Sequence, residues 1–286
     1  MTGTPQRSWL FAPGDSERKL AKVMSCGADV VILDLEDAVA PANKARARAI
    51  AAEWLPENPG AWVRINPLDG PLWLDDLTTV LPAAPAGIML PKAAGPQDVA
   101  HLATAIGERA GDAAGPLILP LVSETAAAAL TIANYATNPP PRLAGLTWGA
   151  EDLSAVLGAT RKRDGRGQWT DTFRMIRAQV LLAAHAAGVA PIDTLHADFR
   201  DSAGLGRIAA ESSADGFTGM LAIHPDQVPV INDAFSPGAE QIAEAEAIVA
   251  AFAASPDAGA VQLDGRMLDQ PHLALAKRVL MRAKHG

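Results

Sequence analysis

Residues 29–39 read DVVILDLEDAV. The run from Val30 to Leu33 is apolar on both alternate faces and too short for a buried helix. It reads as a strand covered on both sides, as in a parallel sheet. Three acids, Asp34, Glu36 and Asp37, crowd its carboxyl end. Seven other segments repeat the form between Gly, Pro and Asp punctuation: SWLFAP (8–13), WVRIN (62–66), GIMLPK (87–92), LILPLV (117–122), LAGLTWG (143–149), GVAPI (188–192) and GFTGMLAI (216–223). Eight strands are therefore expected.

Helical patterns fill the intervals. In the first, Asp15 and Ser16 are capping residues, Leu20, Val23 and Met24 recur at helical spacing, and Gly27 stands where a C′ glycine belongs, which predicts a helix over 16–26. ANKARARAIAAEW and SETAAAALTIANYA are alanine-rich and favour helix on intrinsic propensity. Strand and helix alternating eight times predict an α/β protein with a (β/α)8 TIM barrel. The alternative is an open doubly wound sheet, but no G-x-G-x-x-G turn follows a strand to mark a dinucleotide site. The barrel is assigned to residues 1–235. From residue 236 the pattern changes to SPGAEQIAEAEAIVAAFAAS, VQLDGRMLD and HLALAKRVLMRAK, a C-terminal helical extension (236–286) with a turn at 255–259.

Composition narrows the function. With 24 Lys and Arg against 32 Asp and Glu the chain carries −8, unsuited to a nucleic-acid binder. A single cysteine, Cys26, excludes an intrachain disulfide framework, and uncharged stretches break well short of the roughly 20 residues of a membrane span. No leader-like segment opens the chain, so a cytoplasmic protein without membrane partners is expected.

In a barrel the active site lies at the carboxyl ends of the strands. The ionisable residues there are Asp34, Glu36 and Asp37, then Arg64, Lys92, Glu124, Glu151 with Asp152, and His224. Glu124 and Asp152 follow adjacent strands and can share one Mg²⁺, which asks for only one or two protein carboxylates; each acid can equally serve a helix first turn. Arg64 needs an anion. That anion is either a structural carboxylate, Asp34 or Asp37, or a substrate carboxylate or enolate. Glu36 or Asp37 can orient Arg64 or a metal-bound water, which places Asp37 with Arg64 and Glu124 among the substrate-binding candidates. Lys92 reads as a solvated loop lysine. The basic run RKRDGRG (161–167) is a solvated loop or an attractor for a phosphate-bearing cofactor.

Taken together and in order, SWLFAPG, DVVILDLEDAV, WVRIN, IMLPKA, the Glu-Thr after the fifth strand, WGAEDL, AIHPDQ and GRMLD resemble the citrate lyase β-subunit-like family of the HpcH/HpaI aldolase superfamily over nearly the whole chain. The resemblance implies a Mg²⁺-binding TIM barrel that makes or breaks a carbon–carbon bond beside a 2-oxo acid, with an acyl-CoA partner such as citramalyl-CoA, malyl-CoA or citryl-CoA. It assigns Glu124 and Asp152 to the metal and Arg64 to the substrate. Asp269 of GRMLD is similar to an aspartate that reaches a neighbouring subunit's site, which implies a homo-oligomer, a trimer or a hexamer of trimers. Two departures stand out: Ala127-Ala128 where many relatives have Arg-Gly, and Met220 where a lysine is frequent. A CoA-independent class II 2-oxo acid aldolase and a non-catalytic subunit that binds a ligand or an acyl-carrier protein are the other readings.

Overall fold

All eight apolar runs contribute a strand: β1 (Ser8–Pro13), β2 (Val30–Asp34), β3 (Trp62–Arg64), β4 (Gly87–Leu90), β5 (Leu117–Pro120), β6 (Gly145–Leu146), β7 (Ala190–Asp193) and β8 (Gly219–Ala222). The computed structural model describes residues 6–111 and 115–284. The strands are parallel and lie in the order β5-β4-β3-β2-β1-β8-β7-β6. Parallel bridges Ile118–Leu143 and Leu121–Thr147 join the β5 and β6 segments and complete the ring. The sheet is a barrel, not an open doubly wound layer.

Helices α1 (Glu17–Val23), α2 (Lys44–Trp54), α3 (Trp73–Val80), α4 (Pro96–Ala110), α5 (Ala126–Ala129), α6 (Asn134–Thr137), α7 (Ala150–Leu157), α8 (Asp171–Ala187), α9 (Ser202–Asp215) and α10 (Gln227–Phe235) make the connections. The alanine-rich segment after β5 is helical, as two four-residue helices. Thr125 caps the first, its Oγ1 accepting from the Ala128 amide at 3.1 Å, and the Thr131 hydroxyl lies 2.9 Å from both the Ala94 and the Ala128 carbonyl oxygens. No described helix is long and apolar enough to cross a membrane.

Alternation along the strands fills the barrel. Trp9, Val30, Ile32, Trp62, Met89, Leu119, Ile192 and Leu221 pack together from seven strands. Trp9 and Trp62 meet edge to face at 5.0 Å. Gly87 makes this possible, because a Cβ there would lie 2.2 Å from the Trp62 ring.

The chain divides into two compact units, the second beginning at Asn232. That unit holds helix α11 (Ala239–Ala253), an antiparallel hairpin of β9 (Ala260–Leu263) and β10 (Arg266–Asp269), and helix α12 (Gln270–Ala283). The extension is therefore not purely helical. Asp264 and Gly265, with φ of 49° and 76°, form its two-residue turn, the Asp-Gly pair that such hairpins favour. Ala245, Ile248, Phe252, Leu268 and Ala276 form its own core.

Candidate active site

The pleat that packs the barrel also builds its mouth. Two residues beyond Trp9, Ile32, Trp62, Leu119 and Ile192, on the same face, stand Phe11, Asp34, Arg64, Leu121 and Thr194. Phe11, Arg64, Leu121 and Thr194 line a cavity with Glu124, Trp148 and Asp152. Of the candidates read from the sequence, Glu124, Asp152 and Arg64 thus line one cavity at the carboxyl ends of the strands, while Asp37 is not part of its lining.

Arg64 does not have to choose between a structural and a substrate partner. Its Nε and Nη2 donate to the two oxygens of Asp34 at 2.8 and 2.5 Å, and Nη1 faces Glu36 Oε2 at 3.0 Å. Its guanidinium also lies over the Phe11 ring, 4.7 Å from the centroid. Burial opposes the charge, but Asp34 and Glu36 outweigh that cost and hold the Arg64 pKa above its ordinary value. The staple is Asp34 rather than Asp37. Asp34 is buried and also accepts the Glu36 and Ala38 amides at 2.8 and 3.1 Å, which folds the acidic turn around it. Two of the five guanidinium N–H groups are hydrogen-bonded to Asp34, and Nη1 pairs with Glu36 by charge.

Glu124 is 3% exposed and accepts the Lys92 amide at Oε2. Burial, reinforced by Glu36 and Asp152, pushes its carboxyl up to about 8 against the pull of that amide. Asp152, half-buried in the first turn of α7, faces the same cavity. Gly149 keeps the approach to Glu124 open, since a Cβ there would stand 3.1 Å from Glu124 Cγ and 3.5 Å from Oε1. No group of three or more His, Cys, Asp or Glu suited to a metal occurs among the described residues. A buried carboxylate with acidic neighbours, hard oxygen donors and an open approach fits a divalent cation such as Mg²⁺, with water and substrate completing its shell.

Sequence reasoning missed three participants. Lys92 is not simply solvated: its Nζ donates to Glu36 Oε1 at 2.6 Å. Trp148, fully buried, forms one wall of the cavity, and its Nε1 donates to Asp193 Oδ1 at 2.7 Å. Asp193, on β7, also accepts from Arg177 Nε at 2.8 Å and from Ser212 Oγ. The Trp and the Asp that closes the GVAPI run were visible as types, but their pairing crosses strands.

Asp37 stands apart from the cavity lining. Its side chain is 59% exposed, 3.9 Å from Lys92 Nζ. Asp269 is the N-cap of α12 in the second unit, half-exposed, with its carboxylate on His272 Nδ1. His224 stacks on Phe199 at 4.8 Å. In the basic run, Lys162 pairs with Glu151, and Arg163 lies 3.6 Å over Trp169, whose ring meets Trp148 edge to face.

A family model described as HpcH/HpaI aldolase/citrate lyase matches residues 7–225. The chain belongs to this family. Among HpcH/HpaI relatives it is 37% identical over 275 residues to a citrate lyase subunit beta-like protein of Mycobacterium tuberculosis, covering 96% of this chain and 94% of the relative. It is 34% identical over 306 residues to the L-malyl-CoA/beta-methylmalyl-CoA lyase of Cereibacter sphaeroides, covering 98% and 95%. The crystal structure of CitE from Mycobacterium tuberculosis in complex with magnesium, acetoacetate and coenzyme A superposes with a TM-score of 0.82 at 36% identity, over 98% of both chains.

Proposed function

We propose that this chain is a Mg²⁺-dependent carbon–carbon lyase. It cleaves, or in reverse forms, a 3-hydroxyacyl-CoA thioester of the citramalyl-CoA, malyl-CoA or citryl-CoA kind, giving a 2-oxo acid and acetyl-CoA. The observation that carries this reading is the convergence of Glu124, Asp152 and Arg64 on one cavity at the barrel mouth. Glu124 and Asp152 would hold the ion. Bound there, Mg²⁺ supplies a Lewis acid for the oxygens of the oxo acid.

The remaining work falls to the chain's own groups. Arg64, fixed in direction by Asp34, offers N–H groups not bonded to that carboxylate to the developing oxyanion. Leu121, Leu195, Leu221 and Trp148 form apolar walls that exclude water and strengthen these polar contacts. Asp269 of a second copy supplies the carboxylate that takes or gives a proton at the acetyl carbon, in a closed trimer or a hexamer of trimers. Its half-exposed place at the end of the hairpin supports that role. The magnesium, oxo acid and coenzyme A of the CitE complex support the choice of substrates.

The test is turnover of citramalyl-CoA and malyl-CoA by the purified chain, with and without chelator, alongside Glu124→Ala and Asp152→Ala. Cleavage that needs Mg²⁺ and both acids is expected. Turnover indifferent to chelation would overturn the reading. Cleavage of free hydroxy-oxo acids but of no thioester would favour the CoA-independent aldolase instead.

A further inference from the structure

We infer that Lys92 is a positioning residue with two separable tasks: its backbone N–H aims Glu124, and its ammonium, through Glu36, steadies Arg64. The inference rests on the reading that Glu124 holds Mg²⁺ and Arg64 meets the 2-oxo acid. Four described non-glycine residues have positive φ, and Lys92, at 51°, is the one placed at the carboxyl end of a barrel strand. A side chain disfavours this left-handed conformation, so something local must hold it. Pro91 has no N–H, so Lys92 carries the first amide after Leu90 at the end of β4, and the left-handed turn delivers it to Glu124 Oε2. The side chain departs in another direction. Its Nζ reaches Glu36 Oε1 at 2.6 Å, while the other oxygen of Glu36 faces Arg64 Nη1 at 3.0 Å. Glu36 is buried and shared between two cations, one of which is the substrate arginine. Without the ammonium, the Glu36 carboxylate loses the cation on its Oε1 and competes with the ligand for the guanidinium on its Oε2.

The two tasks come apart in variants. Lys92→Gly keeps the amide and accepts the positive φ but deletes the ammonium. Lys92→Met keeps the length of the side chain without its charge. Mg²⁺ affinity, measured by calorimetry with the metal alone, should be no weaker than wild type in both, because losing a nearby cation lowers repulsion. Pyruvate affinity at saturating Mg²⁺ should fall about tenfold in both, the scale of one charge-assisted hydrogen bond. Lys92→Arg should recover most of it. In ¹⁵N–¹H spectra the Lys92 amide should move upfield in Glu124→Ala. Mg²⁺ and pyruvate affinities falling together in Lys92→Gly would overturn the division, and wild-type affinities throughout would overturn any positioning role. A wild-type chain that binds no Mg²⁺ would instead defeat the metal reading itself.

Discussion

Replacing Arg64 by lysine keeps the charge and removes the planar fork. In the structure that fork makes two charge-assisted bonds to Asp34, which is 1% exposed, and a third contact to Glu36. A lysine ammonium cannot match the bidentate fork on Asp34, so one of its two bonds there, worth about 1.5–3 kcal/mol, is lost. For a chain of this size that lowers Tm by about 3–5 °C. Arg64→Met removes the charge as well and leaves Asp34 buried with only two backbone amides, which costs about 3–5 kcal/mol. Activity should fall by a separate route, since losing an aimed donor at a developing oxyanion costs about 10²–10³ in kcat. Thermal unfolding and kcat/KM on the same preparations separate the effects. Arg64→Lys that unfolds like wild type would refute the claim that the Asp34 fork stabilises the fold. A lowered Tm with full kcat/KM would refute the catalytic role and leave Arg64 purely structural.

Glu124, held up to about 8 chiefly by burial, makes folding pH-dependent. A raised carboxyl favours its neutral form in the fold, so the stability it contributes is complete below about 4.5 and is lost as pH rises through about 8. Urea midpoints of the metal-free protein should fall across that window, and Mg²⁺ binding should release a proton in it, visible as buffer-dependent calorimetric heats. Asp193→Asn keeps an acceptor for Trp148 but strips the charge facing Arg177, which predicts a loss of about 1–3 kcal/mol and a raised KM for the oxo acid as the wall loosens. Unchanged KM would show that Trp148 holds its place without Asp193. Asp269→Asn and Glu124→Ala chains, each inactive alone, should recover part of the activity when mixed, if Asp269 acts across a subunit boundary. No recovery after demonstrated subunit exchange would end that proposal.

The barrel was legible because it rests on local pattern: the two-residue alternation of Ile32, Trp62 and Ile192 carries straight on to Asp34, Arg64 and Thr194. Position at a strand end was enough to bring Glu124, Asp152 and Arg64 to one cavity. The pairings were not legible. Nothing local distinguishes Asp34 from Asp37 as the partner of Arg64. The choice follows from parallel register, which sets Asp34 beside Arg64, while Asp37 lies past the turn. Lys92 was overlooked for the same reason: its left-handed backbone and its reach to Glu36 follow from what faces β4, not from GIMLPK. The alanine-rich run after β5 is helical, as its propensity expects, but its break into two short helices was not legible, because the Thr131 hydroxyl finds a partner in the Ala94 carbonyl of another segment.

One stave of the barrel is thinner than the rest. β6 has two residues, is tied to β5 by isolated bridges, and pairs with β7 at two positions, one of them Pro191, which has no N–H to give. Amides of residues 144–147 should therefore exchange with solvent sooner than those of β1 and β2, marking the place where the cylinder breathes. Glu124 follows the stave on one side of this seam and Asp152 follows β6 itself. A cation gripped by both would act as a rivet across the opening, so loading the site would slow exchange at the seam before it changed the fold anywhere else.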